Sequence, residues 1–426
     1  MDTFSIILLA IFFVGFIGIA FEHKFKVNKS WLALFMGTIM WMAVAFGQTK
    51  AQLHGPLSDS FAEIFELVIF LMGAMTIVEM LGHFRFFTWV EVRLMKFNIS
   101  NRKLFWILGL ITFFASALLD NLTSTLVMIH IGRYLYIKKQ NFNIFVINTV
   151  IAANAGGAMS PVGDVTTIML WLADKFTAWQ IVLYGFLPSI VAWIVPQAIL
   201  TAKIEYEDRI GRDLKNGLPT QWGLIIIGFS TFGVAVLINM LHLPPFFGIL
   251  FGLGIIAIVI DVKFKRGKLK EKAGDIVNLV KKIDMATIYF FVGILLAVDA
   301  LKYAGTLDIM AQSIFGSDIL NNPGALITGH TSLGLLSSFF DNVPLTAAAI
   351  KMLPDGIHFI YWILLAITAG TGGSILIIGS AAGVAAMGQV DTLTFNDYFK
   401  KGSLPALLGY IAAVGTWYLM FILLGF

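Results

Sequence analysis

Apolar runs long enough to cross a lipid bilayer recur from one end of the chain to the other, with charged loops between them. A hydrocarbon core about 30 Å thick takes about 20 apolar residues of helix. Runs of this kind lie at 4–22, 31–47, 64–82, 104–118, 122–137, 142–155, 162–173 and 179–202. After a charged stretch they resume at 221–240, 245–262, 286–303, 325–340, 344–353, 357–370, 374–388 and 403–425. The fold class that follows is an all-α polytopic membrane protein. Charged residues make up 13% of the 426 positions, where a soluble domain carries roughly 25%. The forty glycines suit closely packed membrane helices. The first run lacks a basic stretch before it and a small-x-small cleavage site after it, so it reads as a retained span.

The formal charge of +4 sits in loops and not among the aromatics, so it predicts membrane orientation and no nucleic-acid partner. With no cysteine in the chain, disulfides, thiolate catalysis and Cys-based zinc sites are excluded. The loop holding Lys263, Lys265, Arg266, Lys268, Lys270, Lys272, Lys281 and Lys282 is the strongest cytoplasmic marker. Loops 203–220 and 263–283 are then cytoplasmic, as are those with Lys24, Lys26 and Lys29 and with Arg93, Arg102 and Lys103. The N-terminus falls outside. The segment between Lys103 and Lys139 is basic at both ends, and its first apolar arm, 104–118, is short for a full crossing. It is expected to be a re-entrant hairpin that returns to the cytoplasmic side.

Two stretches repeat in order. Ser116-Ala-Leu-Leu-Asp120-Asn121 is matched by Ser337-Ser-Phe-Phe-Asp341-Asn342. Downstream, Gly156-Gly157 with Gly163-Asp164 is matched by Gly372-Gly373 with Gly379-Ser380. Each half, 1–202 and 221–426, then holds three spans, a hairpin, an interrupted span and a closing span, with 203–220 as linker. The hairpin returns to its own side, so the crossings per half are odd in number and the second half starts on the opposite face. That is an inverted-topology repeat.

Helix breaks inside a bilayer free backbone groups at several kcal/mol each unless protein or water pairs them. Gly156, Gly157, Pro161, Gly372, Gly373 and Gly379 mark such breaks. Freed carbonyls favour a cation. Asn121, Thr123, Ser124, Asn154, Thr166, Asn342, Thr346, Ser374 and Ser380 add oxygen ligands of the kind Na⁺ and Li⁺ prefer. Three carboxylates, Asp120, Asp341 and Asp164, lie at or beside the breaks. A charge at the bilayer centre costs at least ~2.5–3.5 kcal/mol, so these are candidates for function. A carboxyl group removed from water can exchange a proton near neutral pH, and competition of H⁺ and Na⁺ for one carboxylate couples the two fluxes. The expected Na⁺ site is Asp120, Asn121, Asp341 and Asn342. Asp164 has a second reading as a helix cap, and Asn154 is open between cation ligand and backbone cap. Glu79 and His83, one turn apart, read either as a pH sensor or relay or as an interfacial pair. Asp299 reads either as functional or as facing the outer interface. His130 and His330 read as structural. The substrate ion is the only metal expected, with no cofactor.

These motifs (Asp120-Asn121-Leu-Thr123-Ser124, Asn154-Ala-Gly-Gly-Ala-Met-Ser160-Pro-Val-Gly-Asp164-Val-Thr166, Asp341-Asn342-Val-Pro344-Leu-Thr346) resemble the NhaD-type sodium/proton antiporters of the ion transporter superfamily. The resemblance covers nearly the whole chain. It implies re-entrant hairpins, a scaffold part and a moving transport part, homodimers, Na⁺ or Li⁺ exchange for H⁺, and a bacterial inner membrane. Glu79 and His83 match a Glu/His pair expected early in such chains. The rival within the superfamily is an anion carrier for dicarboxylates, citrate or arsenite. Relatives of that type place Ser-Asn-Thr at the hairpin tips, whereas this chain has Asp-Asn, which repels an anion. A rival of another class is an intramembrane aspartyl protease that pairs Asp120 with Asp341.

Overall fold

The computed structural model describes residues 3–20, 22, 27–46, 48–95, 99–206, 220–265, 276–316 and 318–425. The orientation markers Lys24, Lys26, Arg266, Lys268, Lys270 and Lys272, and most of the 203–220 linker, lie outside the described residues. Among the described residues every regular element is helical. Of the described helices six are long and apolar enough to cross a membrane, and three shorter apolar ones accompany them.

The first half opens with α1 (Thr3–Ala20) and α2 (Lys29–Ala45), which Asn28 caps through the Ser30 N–H at 2.8 Å. Helix α3 (Lys50–His83) is longer than the apolar run at 64–82 that announced it. Its polar first turns are helical because Gln52 reaches back to the Thr49 N–H at 2.9 Å, and at roughly 1.5 Å per residue it outruns a bilayer core. Arg85, with φ 69°, turns the chain into a short helix, α4 (Phe86–Met95). The hairpin follows as α5 (Asn101–Leu118) and α6 (Asn121–Leu135). Ser100 caps α5, so this arm begins three residues before the apolar run. The interrupted span is α7 (Lys139–Gly157) and α8 (Val165–Leu172), and α9 (Ala178–Thr201) closes the half.

The chain continues with α10 (Trp222–Met240), α11 (Phe246–Lys265), a short α12 (Ile276–Val280) and α13 (Met285–Tyr303). Gly305, with φ 68°, makes the same left-handed turn as Arg85 and leads into α14 (Thr306–Phe315). The second hairpin is α15 (Pro323–Leu336) and α16 (Asn342–Met352). The second interrupted span is α17 (Phe359–Gly372) and α18 (Ala381–Gln389), joined through a tight turn at Ile377–Gly379. Helix α19 (Phe395–Leu423) closes the chain.

Packing sorts the helices into two groups. In one, α2 crosses α13 so closely that a side chain at Gly37 would overlap the backbone of Gly293, and α3 packs on α11 and α13. Backbone approach of this kind is how small residues join membrane helices. In the other, α5 packs on α7 and α15 on α17, while α9 lies along α19. The halves interlock here: α6 packs on α18, and α16 packs on α8. The group contacts meet where α16 touches α13 and α8 touches α3.

Candidate functional site

The two interrupted spans are built by the same backbone contacts. Ser116 Oγ donates to the Ala153 carbonyl at 2.6 Å, and Ser337 Oγ donates to the Ala369 carbonyl at 2.8 Å. A methyl group at Gly156 would overlap the carbonyl oxygen of Phe113, and one at Gly372 would overlap that of Gly334. Only glycine allows each hairpin arm to press on its interrupted span there. Gly157 ends α7, and the loop at 158–164, which contains Pro161, carries the chain to α8. Gly373 follows α17, and Gly379 ends the tight turn.

Asp164 and Ser380 hold equivalent positions at the restart of each span. Asp164 has φ −145° and ψ 147°, and Ser380 has φ −143° and ψ 151°. Each caps its half-helix: Asp164 Oδ1 accepts from the Thr166 N–H at 3.0 Å, and Ser380 Oγ from the Gly383 N–H at 3.2 Å. A cap of this kind contributes about 0.5–2 kcal/mol.

The structure gathers most of the expected site around Asp164, which is 1% exposed. Asn121 donates its side-chain amide to Asp164 Oδ2 at 2.9 Å and to Asn154 Oδ1 at 3.0 Å. From the other half, Asn342 donates to Asp164 Oδ2 at 3.2 Å. The Asn154 amide donates to Ser374 Oγ and Ser380 Oγ, both at 2.9 Å. The network therefore runs unbroken from the first hairpin tip through both breaks, and the second tip reaches it at Asp164. Among the described residues no cationic side chain pairs with Asp164.

The other two carboxylates are turned elsewhere. Asp120 Oδ1 and Oδ2 accept from the Thr123 N–H and hydroxyl, both at 2.7 Å. Its φ of 145° with ψ 161° is a conformation open mainly to glycine and costs on the order of 1–3 kcal/mol. Asp341 accepts from the Val343 N–H and pairs with Lys29 at 3.1 Å. Lys29 is thus no free loop charge: it sits in the first turn of α2 against the Phe290 ring. Asp120 and Asp341 share no hydrogen bond, so the proton-sharing pair of an aspartyl protease is not formed.

Of the expected hydroxyl ligands, Thr123 is spent on Asp120, whereas Ser124 Oγ, Thr166 Oγ1 and Thr346 Oγ1 are buried without a protein partner. Thr125 was missed by sequence reasoning. It is fully buried with an unpaired hydroxyl, and it stands five residues after Asp120 as Thr346 stands five after Asp341. Alignment of the two tips would have found it. Tyr398, also missed, donates to the Ser374 carbonyl at 2.6 Å and steadies that side of the network. Glu79 and His83 lie half-buried at the end of α3 and make no part of the network around Asp164. His330 is buried, with Nδ1 2.7 Å from the Leu326 carbonyl. Asp299 does not face an interface: it is 5% exposed and lies 3.1 Å from Lys351.

Comparison with known proteins adds a family. The pattern described as CitMHS, citrate transporter, matches residues 13–365. Sodium/proton antiporter 1 of Arabidopsis thaliana is 37% identical over 96% of this chain and 71% of its own length. The Na⁺/H⁺ antiporter NhaD of Alkalimonas amylolytica is 32% identical over 96% of this chain and 89% of its own. The NhaD of Vibrio cholerae is 29% identical over 97% and 91%.

Proposed function

The chain belongs to the NhaD-type sodium/proton antiporters within the CitMHS family, and from that membership we propose that it exchanges Na⁺ for H⁺ at Asp164. One observation carries the choice of residue. Asp164 is a buried carboxylate that receives amide donors from both hairpin tips and has no cationic partner among the described residues. An ion left uncompensated in a low-dielectric interior costs several kcal/mol. A proton or a bound Na⁺ removes that cost, and each excludes the other. A step that moves Asp164 between the two faces then carries either H⁺ or Na⁺, never the bare charge.

The surroundings suit the cation as well as the proton. The Asn121 and Asn342 side chains carry carbonyl oxygens, and the unpaired hydroxyls of Ser124, Thr125, Thr166 and Thr346 add neutral oxygen donors. One carboxylate among neutral oxygens balances one monovalent ion. Asp120 and Asp341 flank this centre. We read Asp120 as a strained cap that fixes the first tip and Asp341 as a carboxylate exchanging Lys29 for the arriving ion. Li⁺ is a second substrate on the same oxygen chemistry.

The finer architecture belongs to the same proposal. The paired contacts at Ser116 and Ser337 and at Gly156 and Gly372 support two structural repeats, 1–202 and 221–426, of inverted topology. The helices α5–α6 and α15–α16 are read as re-entrant hairpins from opposite sides. With α7–α9 and α17–α19 they form the transport part, against a scaffold of α1–α3, α10, α11 and α13. The protein is placed in a bacterial inner membrane as a homodimer, with loops 203–220 and 263–283 cytoplasmic.

The family description favours a second reading, citrate transport. Against it stands Asp164 itself, since the donors that a tricarboxylate would need are already aimed at a protein carboxylate. Everted vesicles holding a pH gradient test both. Proton movement on adding NaCl or LiCl, and none with KCl, is expected. Uptake of labelled citrate without a response to Na⁺ overturns the exchange reading.

A further inference from the structure

Helix α16 is tied to the span bundle by an ion pair at each end. At its N-terminus, Asp341 meets Lys29 of α2 at 3.1 Å, with side chains 13% and 21% exposed. At its other end, Lys351 lies 3.1 Å from Asp299 of α13 and also pairs with Glu63 of α3. Lys351 is 11% exposed and Asp299 5%, while Glu63 is more than half exposed. Helices α2 and α13 are themselves locked backbone to backbone at Gly37 and Gly293, so both clamps rest on one rigid support.

The equivalent helix of the first half is not held this way. Asp120 accepts from its own Thr123, and Arg133 near the end of α6 reaches the carbonyl of Gln389, just as α18 ends. Among the described residues no side chain of α6 pairs ionically with the span bundle. Two helices in repeat-related places therefore differ in one respect: α16 is fastened to the spans and α6 is not.

The Lys351 clamp stands in the wall of a cavity of about 1420 Å³. Met169 and Leu172 of α8 line it, as do Ala347 and Lys351 of α16. Met169 and Leu172 lie in the last turn of α8, which Asp164 caps, and Lys351 lies in the last turn of α16, which begins at Asn342. The cavity thus lies at one end of the elements that hold the ion centre, and Lys351 fixes one of those elements.

We propose that Lys351, clamped between Asp299 and Glu63, is a positioning residue that holds α16 against the spans in the cavity-open state and must release in each exchange cycle. The proposal rests on the exchange reading for its cycle but makes its own structural claim. Within it, the Asp341 end releases first, because an ion or proton arriving at that carboxylate competes with Lys29. The Lys351 end is the buried one and sets how strongly the cavity-open state is favoured. A ligand or contact shifts such an equilibrium only through its differential attraction for the two states, and a buried ion pair present in one state alone supplies that difference.

The chain has no cysteine, so Leu172→Cys places a single thiol in the cavity, on a helix other than the clamp's. Labelling of intact cells by a membrane-impermeant maleimide, which meets the cavity from the outer face, together with exchange in everted vesicles made from the same cells, reads the state. Lys351→Gln alone leaves Asp299 buried and unpaired, which is strongly destabilising. The informative variant is therefore Lys351→Gln with Asp299→Asn, which removes both charges. Its thiol is expected to label about tenfold more slowly, with the maximal exchange rate altered and the apparent KM for Na⁺ little changed. Lys351→Arg, which keeps the charge, is expected to restore the parent labelling rate. If the neutral pair reaches the membrane at parental abundance, labels at the parental rate and exchanges at the parental rate, the clamp is only structural and the proposal is overturned. If the parent shows no Na⁺-driven proton movement, the exchange reading fails. The labelling arm still decides whether Lys351 biases the cavity.

Discussion

The break at Asp164 and the break at Ser380 have nearly the same backbone, yet only one of them carries a charge. Their φ and ψ angles agree within a few degrees, and the supporting serines, Ser116 and Ser337, make the same hydrogen bond. The side chains differ: a carboxylate faces a hydroxyl, and Asn154 has Gly370 as its counterpart. The contrast separates what the backbone requires at a helix break from what the side chains supply there. Where backbone presses on backbone, any side chain overlaps a carbonyl, so glycine stays in both halves. Where side chains from the two breaks meet, one charge suffices, and a second facing carboxylate would repel the first.

Removing that charge is expected to have the largest effect. Asp164→Asn is expected to lose Na⁺-driven proton movement to the level of empty vesicles, with the protein still in the membrane. Ser380→Ala, at the equivalent place, is expected to keep its maximal rate near normal. Its apparent KM for Na⁺ should rise about fivefold, the factor given by about 1 kcal/mol for one lost polar contact. Equal loss in both variants would mean that the two breaks share the chemistry.

The hairpin tips allow a second contrast. Asp341→Asn keeps a good cap but takes the carboxylate from the part-buried Lys29, so a part of the ~3–5 kcal/mol that a fully buried pair loses is expected. Asp120→Asn keeps its cap and strands no cation. The thermal midpoint of the purified protein should fall clearly for the first and little for the second. Adding Lys29→Met to Asp341→Asn should recover most of the loss.

Smaller effects test where the halves are the same. Gly156→Ala and Gly372→Ala should each lower the midpoint by a similar amount, since overpacking costs about 1–3 kcal/mol. Ser116→Ala and Ser337→Ala should be milder, at about 1 kcal/mol each. A large inequality within either pair would show that the two breaks carry unequal load.

Much of this site was legible before any coordinates. The Asp-Asn tips and the Gly-Gly breaks stand out because buried polarity and helix breaking are rare inside apolar runs. Asn121, Asn154, Asn342, Ser374 and Ser380 do converge. The rank of the carboxylates was not legible. Asp120 and Asp341 carry the stronger motif, but Asp164 lies at the centre, because each tip aspartate caps its own helix and only the neighbouring asparagine projects across. The turns at Arg85 and Gly305 and the helices after them also escaped notice, since ten-residue helices with mixed polarity look like loops. The polar start of α3 was lost for the same reason.

Composition and pattern alone determined that the chain lives in lipid, that it is helical, and that two matched interruptions are where its polarity is concentrated. These are local properties: hydrophobicity integrates along the chain, and a helix break is written in its own residues. Tertiary structure alone decided which acid receives the asparagines of both tips, that Lys29 meets Asp341 across 312 positions, and that Lys351 fastens α16 to α13 and α3. Electrostatic partnership depends on distance in space and on what else excludes water there, and neither is encoded at any single position of the sequence.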